Sequence, residues 1–311
     1  MPDQISLMSL PNMKETIDCG GVVLFKKTFA QCLTTFLFWV QARQNIGNRI
    51  YQDGFSSRVV LSNSFFGLEE PRPLPPNIHL TGPLVQPQGD LLKDLKEKHN
   101  KLYQWLEEAQ ANKQPVVYIS IGSYCIYQQW SIDALYYGLK KLGCRVIWSL
   151  KKEYKLPVEN DKDIWAMPWV PQVELLSHPA VGAGVSHCGW GGTMEFIAAG
   201  VPVVGWPHFF DQFKNASLIC DDNKAGKILL SRMRLSPNNI EHQSYVSPEF
   251  DSEHVYRVFK EVLVDRHAFY KQNMLRLQRI SQNQKGRETA VRVIEETAVL
   301  GSKHVVDEAL H

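Results

Sequence analysis

From Pro115 onward the chain alternates short apolar, β-branched runs with helical stretches, and this rhythm constrains the fold more than any other feature of its 311 residues. Val116 to Ile121 reads as a buried strand closed by Gly122 and Ser123, residues 132–141 have helical spacing, and Arg145 to Leu150 reads as the next strand. A strand over 163–167, a helix over 173–177, a strand over 184–186, a helix over 193–199 and a strand over 201–205 follow. Hairpins cannot join strands separated by helices of this length, so the pattern implies right-handed crossovers and a parallel sheet. The expected class is α/β, a Rossmann-like doubly wound domain. Such sheets take ligands in the crevice beyond the carboxyl ends of their strands, where Gly122–Ser123 and the segments 187–192 and 206–212 all fall.

Upstream the strand pattern is weaker. Residues 58–66 and 77–81 read as strands, with the proline-rich run P-R-P-L-P-P at 71–76 as an extended connection, because proline fixes φ and donates no hydrogen bond. Gly82–Pro83 ends this segment. A charged stretch over 91–110, apolar at 91, 92, 95, 102, 106 and 109, predicts one surface helix leading into the α/β domain. Residues 252–264 and 268–299 are expected to be helical with charged faces.

Composition removes several function classes. Lys and Arg number 34 against 32 Asp and Glu, a formal charge of +2, far from the basic face a phosphate backbone requires, so no nucleic-acid partner is expected. The six cysteines, at 19, 32, 125, 144, 188 and 220, form no C-x-x-C pair, and buried free thiols in a reducing compartment are expected. The start lacks a basic segment followed by an apolar core, and the most apolar run, Phe29 to Val40, is shorter than the ~18 residues of a membrane span. It reads as a buried helix, and the localisation expected is cytoplasmic.

The densest chemistry lies between Trp169 and Gln212: W-V-P-Q, then S-H-C-G-W-G-G-T-M-E, then G-W-P and D-Q. The strand ending at His187 feeds a glycine-rich turn and a helix expected to begin at Thr193, which points unpaired N–H groups and the positive end of the helix dipole at the crevice. Gly189, Gly191 and Gly192 permit close backbone approach and positive φ, although such a turn alone is also an ordinary βα connection. His187 could donate to a phosphate or be a structural histidine. Glu195, expected in the first helical turn, could accept both ribose hydroxyls or simply complement the dipole. Trp169 offers a ring face to a flat base, with a packed core tryptophan as the alternative, and Gln172 could bond base or ribose edges. Asp211 and Gln212 suit vicinal sugar hydroxyls.

In this order and spacing the block resembles the signature of the nucleotide-dependent family 1 glycosyltransferases, in their plant-type form. The segments N-S-F-F-G-L-E-E and V-V-Y-I-S-I-G-S also resemble that family's inter-domain segment and first donor-domain strand. The resemblance implies a GT-B fold with the donor in a C-terminal Rossmann-like domain, complete here, and a partial N-terminal acceptor domain. The implied boundaries are 1–83 for the acceptor part, 84–112 for a linker with its helix, 113–285 for the donor domain and 286–311 for a C-terminal helix and tail. The implied activity is hexosyl transfer, with inversion, from a UDP-sugar to a small-molecule hydroxyl. By position, Trp169 would stack on uracil, Val170 supply backbone hydrogen bonds and Gln172 a polar one, and Glu195 hold the ribose. His187, the backbone of Trp190, Gly191 and Gly192, and the Ser123 hydroxyl would bind the diphosphate, and Asp211 with Gln212 the sugar. The helix N-terminus would serve where other transferases use a divalent ion, so no metal or other cofactor is implied.

Two departures qualify these expectations. Gly191 and Gly192 replace the asparagine and serine that usually follow H-C-G-W in the family. The family's catalytic histidine and the aspartate that orients it also have no counterpart in the chain, although general-base catalysis requires a group to take the acceptor proton. The first ~80 residues therefore read as the trailing part of an acceptor domain, with exposed apolar edges that include Phe25, Phe29, Phe36 and Phe38. Three expectations follow: an N-terminally truncated chain of such a transferase, the donor-binding subunit of a two-chain enzyme whose other half is a separate chain, or a non-catalytic nucleotide-sugar binding module.

Overall fold

The computed structural model describes residues 58–84, 89–123, 125–208, 211–229 and 250–301. The helix expected over 29–40, the edge phenylalanines, Cys19 and Cys32 lie outside these residues. The described residues group into two compact units, one of 89–279 and one of 58–84 with 280–301.

The larger unit is built on six parallel strands: β3 (Val116–Ser120), β4 (Arg145–Ser149), β5 (Ile164–Met167), β6 (Val181–Ser186), β7 (Val203–Gly205) and β8 (Gly226–Ile228). Their spatial order is β5-β4-β3-β6-β7-β8, so the winding reverses between β3 and β6, where Ser120 pairs with Ser186. That reversal opens a crevice at the carboxyl ends. β8, a three-residue Gly-Lys-Ile strand, was not expected from the sequence, since it is too short and too glycine-rich to carry a strand pattern.

On one face Val117, Ile119, Val146, Trp148, Val185 and Val204 are buried against Ile132, Leu135 and Leu139 of helix α3 (Gln129–Leu142), and against Val255 and Phe259 of α7 (Ser252–Lys260). At about 25 cal/mol per Å² of apolar surface, side chains of this size each contribute roughly 1.5–3 kcal/mol. The indole of Trp148 donates to the Tyr127 hydroxyl at 3.0 Å, which satisfies the one polar atom of that buried side chain. Gly138 of α3 lies so close to α7 that a Cβ there would come within 2.7 Å of the Ser252 carbonyl oxygen. The opposite face of the sheet carries α4 (Gln172–Leu176) and α5 (Trp190–Ala199).

The single helix expected over 91–110 is two, α1 (Leu91–Lys98) and α2 (Asn100–Ala111), broken at His99, where φ is −134°. Asp90 caps α1, its carboxylate accepting the Lys93 N–H at 3.1 Å. α2 is fastened to the strand layer by Arg145, whose guanidinium donates to the Trp105 carbonyl at 2.8 Å and lies 4.8 Å from its indole. Helix α6 (Gln212–Ala216) continues into a π-helical turn over Ser217–Asp222, and α7 into another over Glu261–Asp265. α8 (His267–Asn283) and α9 (Gly286–Leu300) follow, separated by Lys285 at φ 50°.

In the smaller unit β1 (Val60–Ser62) and β2 (Ile78–Leu80) pair in parallel. Residues 280–301 close on them: Ile280 lies against Gly67, Gln284 against Gly82, and the Arg287 guanidinium donates to the Leu84 carbonyl at 2.9 Å. No helix among the described residues is long and apolar enough to cross a membrane. The described cysteines, at 125, 144, 188 and 220, are free and buried.

Candidate functional site

All eleven residues singled out from the sequence belong to the larger unit, on the loops and helix starts at the carboxyl ends of its strands. β3 ends into Gly122, at φ 74°, and the exposed Ser123. β6 ends into His187, whose imidazole lies against both Gly122 and Gly189. A Cβ on Gly122 would meet the ring at 2.7 Å, so the glycines serve close approach of this histidine.

The left-handed residue of the turn is Cys188, at φ 60°, and none of Gly189, Gly191 and Gly192 has positive φ. Two bonds hold Cys188 in this uncommon conformation. Its N–H donates to the Ser186 hydroxyl at 3.0 Å, and its carbonyl accepts from the Asn215 amide at 2.9 Å. Burial pushes its thiol up to about 12. The same Asn215 nitrogen donates to Asp211 at 2.8 Å and so ties the D-Q segment to the turn.

Helix α5 starts at Trp190, three residues before the expected Thr193, so Gly191 and Gly192 lie in its first turn. No side chain of the described residues caps this end, and the Thr193 N–H to Gly189 carbonyl bond, 3.0 Å, opens the helical ladder. The amides of Gly191 and Gly192 precede that bond and are available to an anion. At the far end Lys271 donates to the Gly200 carbonyl and Gln278 to the Ala198 carbonyl, each at 2.7 Å, completing the helix at its negative pole.

The earlier start moves Glu195 to the second turn, where dipole complementarity no longer accounts for it. Its carboxylate instead accepts from the Gln172 amide, and Gln172 accepts the Tyr118 hydroxyl at 2.8 Å. Burial raises the Glu195 carboxyl above its ordinary value, while the Gln172 bond opposes that shift. Trp169 is 65% exposed, which removes the packed-core alternative, and the His99 ring lies 6.1 Å from it. Val170, beside it, is buried.

Asp211 is exposed at the crevice mouth, but Gln212 is buried and its side-chain oxygen accepts the His208 N–H at 2.9 Å. The His208 ring lies 4.8 Å from that of Trp206. Among the described residues Nδ1 of His187 and Nε2 of His208, both buried, have no hydrogen-bond partner, and burial lowers both imidazoles, His208 to about 4. Both rings are therefore neutral near pH 7. Among the described residues no cluster of His, Cys, Asp or Glu is placed to hold a metal ion.

Sequence reasoning missed Tyr118, Asn215 and His208. The signals were faint: Tyr118 faces away from the core shared by Val117 and Ile119, and Asn215 follows Asp211 at helical i, i+4 spacing.

Comparison with known proteins identifies the family. A family profile described as UDP-glucoronosyl and UDP-glucosyl transferase matches residues 23–295. UDP-glycosyltransferase 75C1 of Solanum lycopersicum is 35% identical over 209 residues, 60% of this chain and 43% of that protein. UDP-glucose flavonoid 3-O-glucosyltransferase 7 of Fragaria ananassa is 34% identical over 149 residues, 45% of this chain and 30% of that protein. Among solved structures, Os79 from O. sativa in complex with UDP superposes with a TM-score of 0.58 at 28% identity, over 77% of this chain and 54% of that one. Medicago truncatula UGT71G1 complexed with UDP-glucose gives 0.55 at 27% identity, over 70% and 48%. The chain thus spans from 30% to 54% of the length of these relatives. The fold is α/β of the GT-B type, and the chain belongs to the UDP-glucuronosyl and UDP-glucosyl transferase family.

Proposed function

We propose that this chain carries the donor-binding part of a UDP-glycosyltransferase that moves a hexosyl group, with inversion, from a UDP-sugar to a hydroxyl of a small-molecule acceptor. The observation that carries this reading is the order of groups along one crevice. An exposed indole, a half-buried carboxylate–amide pair, a neutral histidine beside a helix N-terminus that no described side chain caps, and an exposed carboxylate follow one another as base, ribose, diphosphate and sugar do in the donor.

Trp169 stacks on uracil, the Val170 backbone meets the base edge, and Gln172 and Glu195 hold the ribose. His187, Ser123 and the amides of Trp190, Gly191 and Gly192 receive the diphosphate. Asp211 and the adjoining Gln212 face the sugar. As the glycosidic bond breaks, negative charge grows on the β-phosphate, and fixed N–H dipoles with a neutral imidazole donor stabilise it without reorganising. No divalent ion is needed for that step, so UDP binding is expected to be unchanged by a chelator.

Calorimetric titration with UDP tests the assignment. The wild-type chain is expected to bind UDP, with Glu195→Ala weaker by about tenfold or more, the effect of losing a hydrogen bond to a charged group. Failure of the wild-type chain to bind UDP, or a Glu195→Ala affinity equal to wild type, would contradict it.

A further inference from the structure

We infer that Tyr118, a buried residue of β3, is a positioning residue that sets how strongly the site distinguishes a ribonucleotide from a 2′-deoxyribonucleotide, because its hydroxyl fixes the Gln172 amide against Glu195. The inference rests on the reading of Glu195 as the ribose acceptor and adds a residue that the family resemblance does not mark.

The three side chains form a directed chain. The Tyr118 hydroxyl donates to Oε1 of Gln172 at 2.8 Å, and Nε2 of Gln172 donates to Oε2 of Glu195. A glutamine amide has an acceptor end and a donor end, and only this orientation pairs every member. Reversal would set an amide oxygen against a carboxylate oxygen. The carboxylate, which only accepts, selects this orientation, and the phenol hydroxyl holds the far end of the amide in place, so that one oxygen of Glu195 is satisfied and the other is left for a ribose hydroxyl.

Tyr118 is held rigidly enough to do this. It is 2% exposed, burial pushes its phenol up to about 12, and its ring stacks on Phe196 at 6.4 Å with 24° between planes. Phe196 reaches that position only because β6 has a glycine beneath it: a Cβ on Gly184 would come within 2.6 Å of the Phe196 ring. Phe196 and Glu195 are neighbours on α5, so one helix carries both the clamp on the tyrosine ring and the carboxylate that its hydroxyl orients.

The test is calorimetric titration with UDP and 2′-deoxy-UDP. The wild-type chain is expected to prefer UDP by about tenfold or more, as for a site built around a substrate hydroxyl. Tyr118→Phe keeps the ring and is expected to cut that preference by about fivefold through weaker UDP binding, with 2′-deoxy-UDP changed by less than about twofold. Gln172→Leu breaks the same chain with the tyrosine intact and, because Gln172 also faces the ribose, is expected to lose at least as much. The double variant should lose no more than Gln172→Leu alone, since Tyr118 acts only through that amide.

A wild-type chain that binds UDP without preferring it overturns the ribose reading, and the inference with it. A wild-type preference that survives intact in Tyr118→Phe, or losses that add in the double variant, overturns the inference and leaves the ribose reading standing. Should Tyr118→Phe unfold, a preference unchanged in Gln172→Leu overturns it equally.

Discussion

At the scale of single residues, the site depends on a few polar side chains that hold the backbone in an unusual shape. Cys188 occupies the left-handed region without being a glycine, and the Asn215 amide bonded to its carbonyl also holds Asp211. Asn215→Leu fills a similar volume but leaves a buried carbonyl unpaired, which costs roughly 1–3 kcal/mol. Chemical denaturation should show that loss, together with UDP binding weakened more than binding of UMP, which lacks the β-phosphate. This part of the site was poorly legible in the sequence. Glycines drew the expectation of positive φ to 189, 191 and 192, whereas the structure uses Gly122 and Gly189 to admit the His187 ring and places the strain on the cysteine. A glycine's freedom can serve φ or proximity, and sequence alone does not say which.

At the scale of elements, strand and helix identities were readable because their patterns are strong. Val116 to Ser120 and Arg145 to Ser149 are apolar enough to be only buried strands, and α3 shows clear helical spacing. Ends and breaks were less readable. Glycines disfavour a helix interior, so the start of α5 was expected at Thr193, yet two glycines form its first turn, where their amides are the useful feature. The break lies at His99 and Asn100, two weak helix formers, and α2 beyond it meets Arg145. The glycine pair also leaves space, since a Cβ on Gly191 meets nothing within 4 Å and one on Gly192 meets only ordinary contacts. Gly192→Ser should therefore fit without strain, stabilise the fold by about 0.5 kcal/mol through helix propensity, and bind UDP more tightly by adding a hydroxyl donor. Weaker UDP binding in a stably folded Gly192→Ser chain would show that the diphosphate lies elsewhere.

At the scale of the whole molecule, buried histidines in and beside the site impose a pH dependence on folding. Burial lowers the imidazoles of His178, His187 and His208 from their ordinary 6.5, His208 to about 4. Below that ordinary value the unfolded chain takes up protons that the folded chain refuses, so stability is complete above it and declines as pH falls toward 4. The His208 shift alone corresponds to on the order of 3 kcal/mol across that window. Urea unfolding should show this acid decline, and His208→Phe, which keeps a ring against Trp206, should flatten it.

The reversal of strand order between β3 and β6 gathers these effects in one place, because it brings residues from 118 to 215 to a single sheet edge. The most direct test of that account is a crystal structure of the chain with UDP. Uracil should lie on Trp169, the ribose hydroxyls on Glu195, and the diphosphate between His187 and the start of α5. A nucleotide bound away from the carboxyl ends of β3 and β6, or reversed with its phosphates at Trp169, would contradict it.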